Sequence, residues 1–409
     1  MEESFPFHYS LLEYLFTLGG LCFFLLDIAL DIWTVVSFYQ DGDYMYMAVM
    51  IFLLLGSSIL LQVFSWLWYA DSLDKKLETK VEEFANSHTL ITPLHFLQLG
   101  VYLRYAGVIE ISTTLFLQKT NSFTEGVAVY LNHDLQMLRL FEAFSESAPQ
   151  LILMMCVILQ KRELELITGL KMLTSAAAIA STVALYHRCM RAFLPKKRKM
   201  TWISTGIYFL WNLLLIIPRV TALALFCSVL PCYIIAHFLC LWMLLVLGVW
   251  SQKTDHMESS GWEWLYRATV GIIWYFSWFN VSTASITLKT VLYYGVMGLD
   301  TMMLLGFWCW KEYEGCLSSL KPYIVIPILL GLYIVGIILK MIYYRWFHPN
   351  CDEQKIAKPI EQQESRQAAA FYDMVTDSMG TGVHRSAAPA QPVTGVLKRG
   401  RNMAANFFY

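Results

Sequence analysis

Apolar residues recur along this chain in runs of about twenty or more, the length an α-helix needs to cross a hydrocarbon layer about 30 Å thick. The runs lie at 11–39, 44–70, 93–117, 134–160, 165–193, 201–229, 231–250, 262–283, 287–310 and 322–347. The polar stretches between them are short. From Asp352 to Tyr409 the apolar periodicity is lost and Gln, Ala, Ser and Gly dominate, a composition that buries too little apolar surface to order itself. The pattern predicts an all-α polytopic membrane protein with a membrane domain over 1–351 and a loosely ordered cytoplasmic tail over 352–409.

Composition agrees. Of 409 residues, 57% are hydrophobic and 15% charged, with a mean hydropathy of +0.49, whereas soluble domains usually hold about 45–50% apolar residues. A net charge of -1 gives no reason to expect a nucleic-acid partner. The chain carries no phosphate-binding glycine loop, zinc spacing or haem motif, so neither cofactor nor metal is expected, and no nucleophile constellation suggests an enzyme. The nine cysteines are scattered, several within apolar runs (Cys22, Cys156, Cys227, Cys240), which reads as packing rather than as a disulfide framework. "MEESFPFHYS" lacks the basic region and cleavage site of a signal peptide, so the first hydrophobic helix is expected to be retained.

Orientation follows from charge. "PKKRK" at 195–199 is placed in the cytoplasm by the positive-inside bias, and so is the tail with Lys358, Arg366, Arg385, Lys398, Arg399 and Arg401. Five crossings between that loop and the tail would put them on opposite sides, so one of the last five segments is expected not to cross. The same parity holds for the first five if the amino terminus is cytoplasmic. The expected architecture is therefore about eight transmembrane helices plus two re-entrant or interfacial half-helices, in two related halves. The expected non-crossers are 93–117, which holds Gln98, Arg104 and Glu110, and 262–283, which holds Glu263 and Arg267.

Charge inside the remaining helices is the candidate chemistry. "FFLLDIALDIW" places Asp27 and Asp31 within the first helix, although a charged side chain at the bilayer centre costs roughly 2.5–3.5 kcal/mol. Glu13, Asp27 and Asp31 share one helical stripe spread over roughly 27 Å at 1.5 Å per residue. In "LRLFEAFSESAPQL", Arg139, Glu142, Glu146 and Gln150 recur at three- and four-residue spacings, so they share a face and leave an excess of acid. Arg188, Arg219 and Asp300 add intramembrane charge of both signs, and Pro149 and Pro218 sit beside two of these sites. Such charges serve either as ion pairs that hold helices together or as a polar track between leaflets. The excess of acid and the length of the first-helix stripe favour the track.

From residue 10 to 351 the chain resembles the XK-related family, most closely its branch of apoptotic phospholipid scramblases. The resemblance is carried by "FFLLDIALDIW", "LLQVFSWLWYAD", "LHFLQLG", "DLQMLRLFEAFSESAPQLIL", "YFLWNLLLIIPRV", "EWLYRATVGIIWYFSWFNV" and "MIYYRWFHP", in this order. It implies eight spanning helices with two half-helices, and a charge ladder of Glu13, Asp27, Asp31, Glu142, Glu146, Arg188 and Arg219 along which headgroups step while their tails stay in lipid. Lipid transport of this kind needs no ATP and exposes phosphatidylserine at the plasma membrane. The resemblance also implies a regulatory tail cut by an executioner caspase, for which the candidate is Asp377 in "FYDMVTDS", with Met374 where such enzymes prefer aspartate. A single-pass immunoglobulin-domain chaperone of the basigin or neuroplastin kind is a further implied partner. The branch commonly carries an aspartate just before Tyr-His-Arg of the fifth segment. Leu185 stands there in this chain, so Arg188 must pair elsewhere, with Asp27 or Asp31 as candidates. Two other readings stay open: a non-transporting anchor for a bridge-like lipid-transfer protein, with 71–90 as a docking helix, and a small-molecule or ion transporter using the same acids.

Overall fold

The computed structural model describes residues 11–70, 79–118, 122–161, 166–192, 200–257, 259–281, 287–315 and 321–348. The expected tail, the "PKKRK" run and the candidate cleavage residue Asp377 lie outside them. The described residues are helical with no strand: α1 (Leu11–Gln40), α2 (Tyr44–Ala70), α3 (Lys80–Ser87), α4 (Ile91–Phe96), α5 (Gly100–Gln118), α6 (Ser122–Glu142), α7 (Ala148–Lys161), α8 (Leu166–Ala192), α9 (Trp202–Val229), α10 (Pro231–Ser251), α11 (Ser260–Phe276), α12 (Thr287–Gly315) and α13 (Pro322–Ile342). Seven stretches are long and apolar enough to cross a membrane: α1, α2, the continuous α6–α7 rod, α9, α10, α12 and α13. The 27 residues of α8 have the same reach, but Lys171, Arg188 and Arg191 make it less apolar. The protein is thus an all-α, multi-pass membrane protein.

Contacts between helix ends sort the bundle into two sides. Lys161 at the end of α7 pairs with Asp41 and Asp43 of the α1–α2 turn, and the Gln160 amide donates to the Ser228 carbonyl at the end of α9 at 3.4 Å. On the other side, where α8 ends and α9 begins, Phe16 packs on Trp202 at 5.7 Å and the Ser204 hydroxyl donates to the Phe347 carbonyl at 2.9 Å. The start of α1 and the end of α13 therefore share the α8–α9 side, as parity requires.

The two expected non-crossers both turn back. In the first half, α4 climbs to Gln98, whose side chain accepts from Ser58 at mid-length of α2 at 2.6 Å. There the backbone takes φ 64°, and α5 descends until Thr113 and Phe116 meet Tyr14 near the start of α1. The tip is apolar and faces outward, with Phe96 86% exposed, as suits a hairpin lodged in lipid. In the second half α11 has 17 residues, about 25 Å at 1.5 Å per residue. It climbs from beside Met257, whose N–H bonds Glu263, to Tyr275, which meets His237. Lys289 near the start of α12 reaches Gln252 just after α10, so the chain is back on the side from which α11 set out.

Between α6 and α7 the helix widens into a π turn over Ala143–Ser147, with the Ala148 N–H bonded to the Ala143 carbonyl. Pro149 has no N–H to give the Ser145 carbonyl, so the ladder must slip there. The main apolar core surrounds α9, where Trp211, Ile216, Val220 and Leu223 pack with Phe141, Phe144, Phe276 and Trp308.

Gly100 opens the descending arm of the first hairpin, its N–H bonded to the Gln62 amide oxygen at 3.0 Å. A Cβ there would overlap the His95 ring and sit 2.6 Å from Gln62 Oε1, whereas one at Gly56 meets nothing within 4 Å. Gly100→Ala is expected to cost about 1–3 kcal/mol by overpacking, seen as a lowered thermal midpoint in detergent, with Gly56→Ala unchanged or higher. Equal midpoints would contradict this packing.

Candidate functional site

The α1 stripe and the α6–α7 face meet along one seam. Asp31 is buried and accepts from the Gln150 amide at 3.4 Å. Glu142 is buried and takes a hydrogen bond from Arg139 Nη1 at 2.6 Å. The Arg139 guanidinium also lies over the Phe24 ring at 5.1 Å, one turn before Asp27, which faces it electrostatically. Glu146 is buried in the same seam, where Glu142, Asp31 and Asp27 act on it electrostatically, and Ser57 and Ser145 are 2.8 Å apart. The π turn begins just after Glu142 and contains Glu146, and helps set how both face α1. Four carboxylates (Asp27, Asp31, Glu142, Glu146) thus share a seam with one guanidinium.

The lower part of the stripe is separate. Glu13 stands at the α8–α9 side, where its carbonyl accepts from Thr17 at 3.0 Å. The Thr17 hydroxyl also donates to Asn132 at 3.2 Å, which in turn reaches Cys189 at 3.6 Å. Beside Cys189, Arg188 does not pair with Asp27 or Asp31. Its Nη1 donates to the Met200 carbonyl at 2.8 Å and to the Thr205 hydroxyl at 3.4 Å, and the guanidinium lies over Trp202 at 4.3 Å. A backbone carbonyl and an indole face take the place of the missing aspartate. Sequence spacing gave no sign of this, because the partners come from α9 and from Met200, two residues before it.

Arg219 and Asp300 meet each other rather than the acid seam. They form an ion pair, extended by Arg219 Nε to the Tyr275 carbonyl at 3.0 Å. His237 Nε2 lies 3.0 Å from Asp300 Oδ1, and its Nδ1 lies 2.9 Å from the Tyr275 hydroxyl. This knot ties α9, α10, α11 and α12 with no excess of acid.

Two further charged sites were missed. Arg104 on α5 donates to the Ser65 hydroxyl and carbonyl at 2.7 and 2.8 Å, contacts Asp134 at 3.5 Å and lies over Tyr69 at 4.2 Å. It welds the first hairpin to α2 and α6. Lys340 on α13 is buried, its ammonium 3.8 Å from the centre of the Tyr294 ring and 5.0 Å from that of Trp211. The signal was present in the sequence as a lone lysine in "GIILKMI", but the ring partners Tyr294 and Trp211 come from α12 and α9.

A family model described as XK-related protein matches residues 15–349. "XK-related protein 8" of Tetraodon nigroviridis is 38% identical over 416 residues, covering 100% of this chain and 99% of the relative. The protein of the same name in Gasterosteus aculeatus is 40% identical over 359 residues, 86% of this chain and 87% of the relative. "XK-related protein 9" of Tetraodon nigroviridis is 27% identical over 356 residues, 84% of this chain and 92% of the relative.

Arg139 supplies the positive charge of the seam, so Arg139→Met is expected to destabilise by about 3–5 kcal/mol, the usual result of stranding buried carboxylates. Adding Glu142→Gln should restore at least part of the loss in a thermal midpoint measured in detergent. A double variant as unstable as the sum of the two single variants would show that the pair does not couple.

Proposed function

The chain belongs to the XK-related family, and on that premise we propose that it is an ATP-independent phospholipid scramblase of the plasma membrane, which exposes phosphatidylserine during apoptosis. The observation that carries this reading is the charge imbalance of the α1/α6–α7 seam, where Asp27, Asp31, Glu142 and Glu146 face the single cation Arg139. Surplus carboxylate at membrane depth attracts a cation, and phospholipid headgroups bring one as choline, ethanolamine or serine ammonium. The headgroup phosphate needs a cation in turn, which Arg139 and Arg188 supply. With the α8–α9 side taken as cytoplasmic by its basic run, a lipid enters past Glu13 and Arg188. It steps to Asp27, Arg139 and Glu142, then to Asp31 and Glu146, while its tails stay in the surrounding lipid. Arg219 and Asp300 form a charge-balanced step that opens by partner exchange, with phosphate going to the arginine and ammonium to the aspartate.

On this reading both termini are cytoplasmic and the tail over 352–409 closes the path until an executioner caspase cuts after Asp377. An immunoglobulin-domain chaperone of the basigin or neuroplastin kind is the proposed partner for surface delivery.

The test is lipid transfer in liposomes containing fluorescent phosphatidylserine, with quenching of the outer leaflet and the chain stopped after Asp377. Transfer without ATP is expected. Asp31→Asn with Glu146→Gln should slow it roughly tenfold, which corresponds to loss of about 1.4 kcal/mol from charge-assisted contacts. Asp43→Asn, outside the seam, should leave the rate unchanged. No transfer by folded, truncated protein would leave the anchor and ion-transporter readings in its place.

For the switch, cells lacking other scramblases should bind annexin after apoptosis is triggered when they express the natural chain. Cells expressing Asp377→Ala at equal surface level should not. Equal annexin binding by both would place the cut elsewhere.

A further inference from the structure

The corner between α9, α12 and α13 holds a cation that the proposed lipid path does not use. Lys340 is only 7% exposed. Its ammonium lies 3.8 Å from the centre of the Tyr294 ring, 5.0 Å from that of Trp211 and 6.0 Å from that of Tyr344. Close contacts fix the register here. A Cβ at Gly336, one turn before Lys340, would sit 2.8 Å from Leu215 Cδ2, and Tyr343, just after Lys340, packs on Tyr208 at 5.3 Å. Trp211 falls between Tyr208 and Leu215 along α9 and so faces Lys340. From α12, the Tyr294 carbonyl accepts from the Tyr333 hydroxyl of α13 at 2.6 Å.

The rings answer the charge but not the N–H groups of the ammonium, which can only donate. Among the described residues no acceptor reaches Lys340 Nζ, and the Trp211 indole N–H, the Tyr294 hydroxyl and Asn212 Oδ1 are likewise buried without hydrogen-bond partners. Asn212 lies one turn beyond Tyr208, on the face that α9 turns to α13. Buried polar groups left unpaired are costly, and a cation most of all, so the cluster is completed by a ligand rather than by the protein. One cation, an indole N–H and a hydroxyl suit the oxygens of a phosphate. The lone amide oxygen suits a donor carried beside it.

Depth points to the source. Lys340 is within the last turn of α13, which ends at Ile342, and Trp346 and Phe347 just beyond are 67% and 38% exposed, as aromatic residues at a membrane interface are. In the proposed orientation this is the inner leaflet, whose anionic lipids bind in basic pockets between helices on that side. Tyr344, 45% exposed, is the most open of the three rings. We propose that Lys340, Trp211, Tyr294 and Asn212 bind the phosphodiester of an anionic inner-leaflet phospholipid, admitted when Tyr344 turns outward. Lys340 Nζ, the Trp211 indole and the Tyr294 hydroxyl donate to the phosphate, and Asn212 Oδ1 accepts from a headgroup hydroxyl. The bound lipid ties α9 to α12 and α13. The site stands apart from the acid seam, and only the choice of leaflet rests on the proposed orientation.

The experiment titrates the full chain in detergent with dioctanoyl phosphatidylinositol, followed by native mass spectrometry and by the thermal midpoint. Inorganic phosphate and dioctanoylglycerol are the parallel arms. A bound phosphatidylinositol and a raised midpoint are expected, with no rise from dioctanoylglycerol. Lys340→Met keeps an apolar stem and removes the charge, and should raise the half-saturating lipid concentration roughly tenfold, as for loss of a charge-assisted contact. Tyr294→Phe keeps the ring and loses only the hydroxyl, and should raise it roughly threefold. Lys321→Met, at the other end of α13, should leave it unchanged. Equal titrations of the natural chain and Lys340→Met overturn the site. Should Lys340→Met fail to fold, an unchanged titration of Tyr294→Phe overturns it instead. A midpoint raised as far by inorganic phosphate overturns the lipid as the source of the phosphate, and one raised as far by dioctanoylglycerol overturns phosphate recognition.

Discussion

A carboxylate held in hydrocarbon must be answered by an opposite charge or a donor, because no water is there to do it, and the rest of this structure is arranged around that constraint. Along α1 and the α6–α7 rod the answer is incomplete: Asp27, Asp31, Glu142 and Glu146 share one guanidinium. Gln150 lends a neutral donor where cations are lacking. The Pro149-induced π turn follows Glu142 and contains Glu146, so backbone irregularity and surplus charge occupy the same level of the bundle.

Two half-depth elements make room for this polar interior. Irregular backbone survives at membrane depth only where protein satisfies it, and both tips do so with side chains from neighbouring helices. Gln62 accepts from the Gly100 N–H at the first tip. At the second, Tyr293 donates to the Trp274 carbonyl at 2.5 Å, and the Trp274 indole donates to the Phe279 carbonyl at 2.6 Å. The second tip touches the π turn directly, through Phe276 against Phe144 at 6.0 Å. The hairpins and the acid seam are therefore mechanically joined.

Much of this was legible in the sequence, for identifiable reasons. Spacing within one helix predicts faces, so the Glu13–Asp27–Asp31 stripe and the Arg139–Glu142 pair could be read directly. Parity of crossings against two basic segments predicted the two turning elements, because the positive-inside bias depends on short-range composition. Partners between helices had no such signal. Arg188 settles on Met200 and Trp202, Arg219 on Asp300 with His237 bridging, and Lys340 among Trp211 and Tyr294. Each of these depends on register between helices distant in sequence, which apolar periodicity leaves undetermined.

The two halves share an architecture and differ in electrostatics, and the difference bears on where lipid would travel. In the second half Arg219, Asp300, His237 and Tyr275 pair their charges with one another, leaving Arg219 Nη2 as the nitrogen not engaged, and Lys340 is held by aromatic faces, an interaction worth about 0.5–2 kcal/mol that needs no carboxylate. A site whose opposite charges are already paired has little net charge to offer a zwitterion except by first giving up its own ion pair. The first half has carboxylates to spare, so on the proposed reading an ammonium reaching it would gain a partner without breaking one, and its phosphate would meet Arg139 a turn away. If two related halves began with equal roles, charge imbalance alone would divide them into a seam that could take up a headgroup directly and a knot that could admit one only by partner exchange.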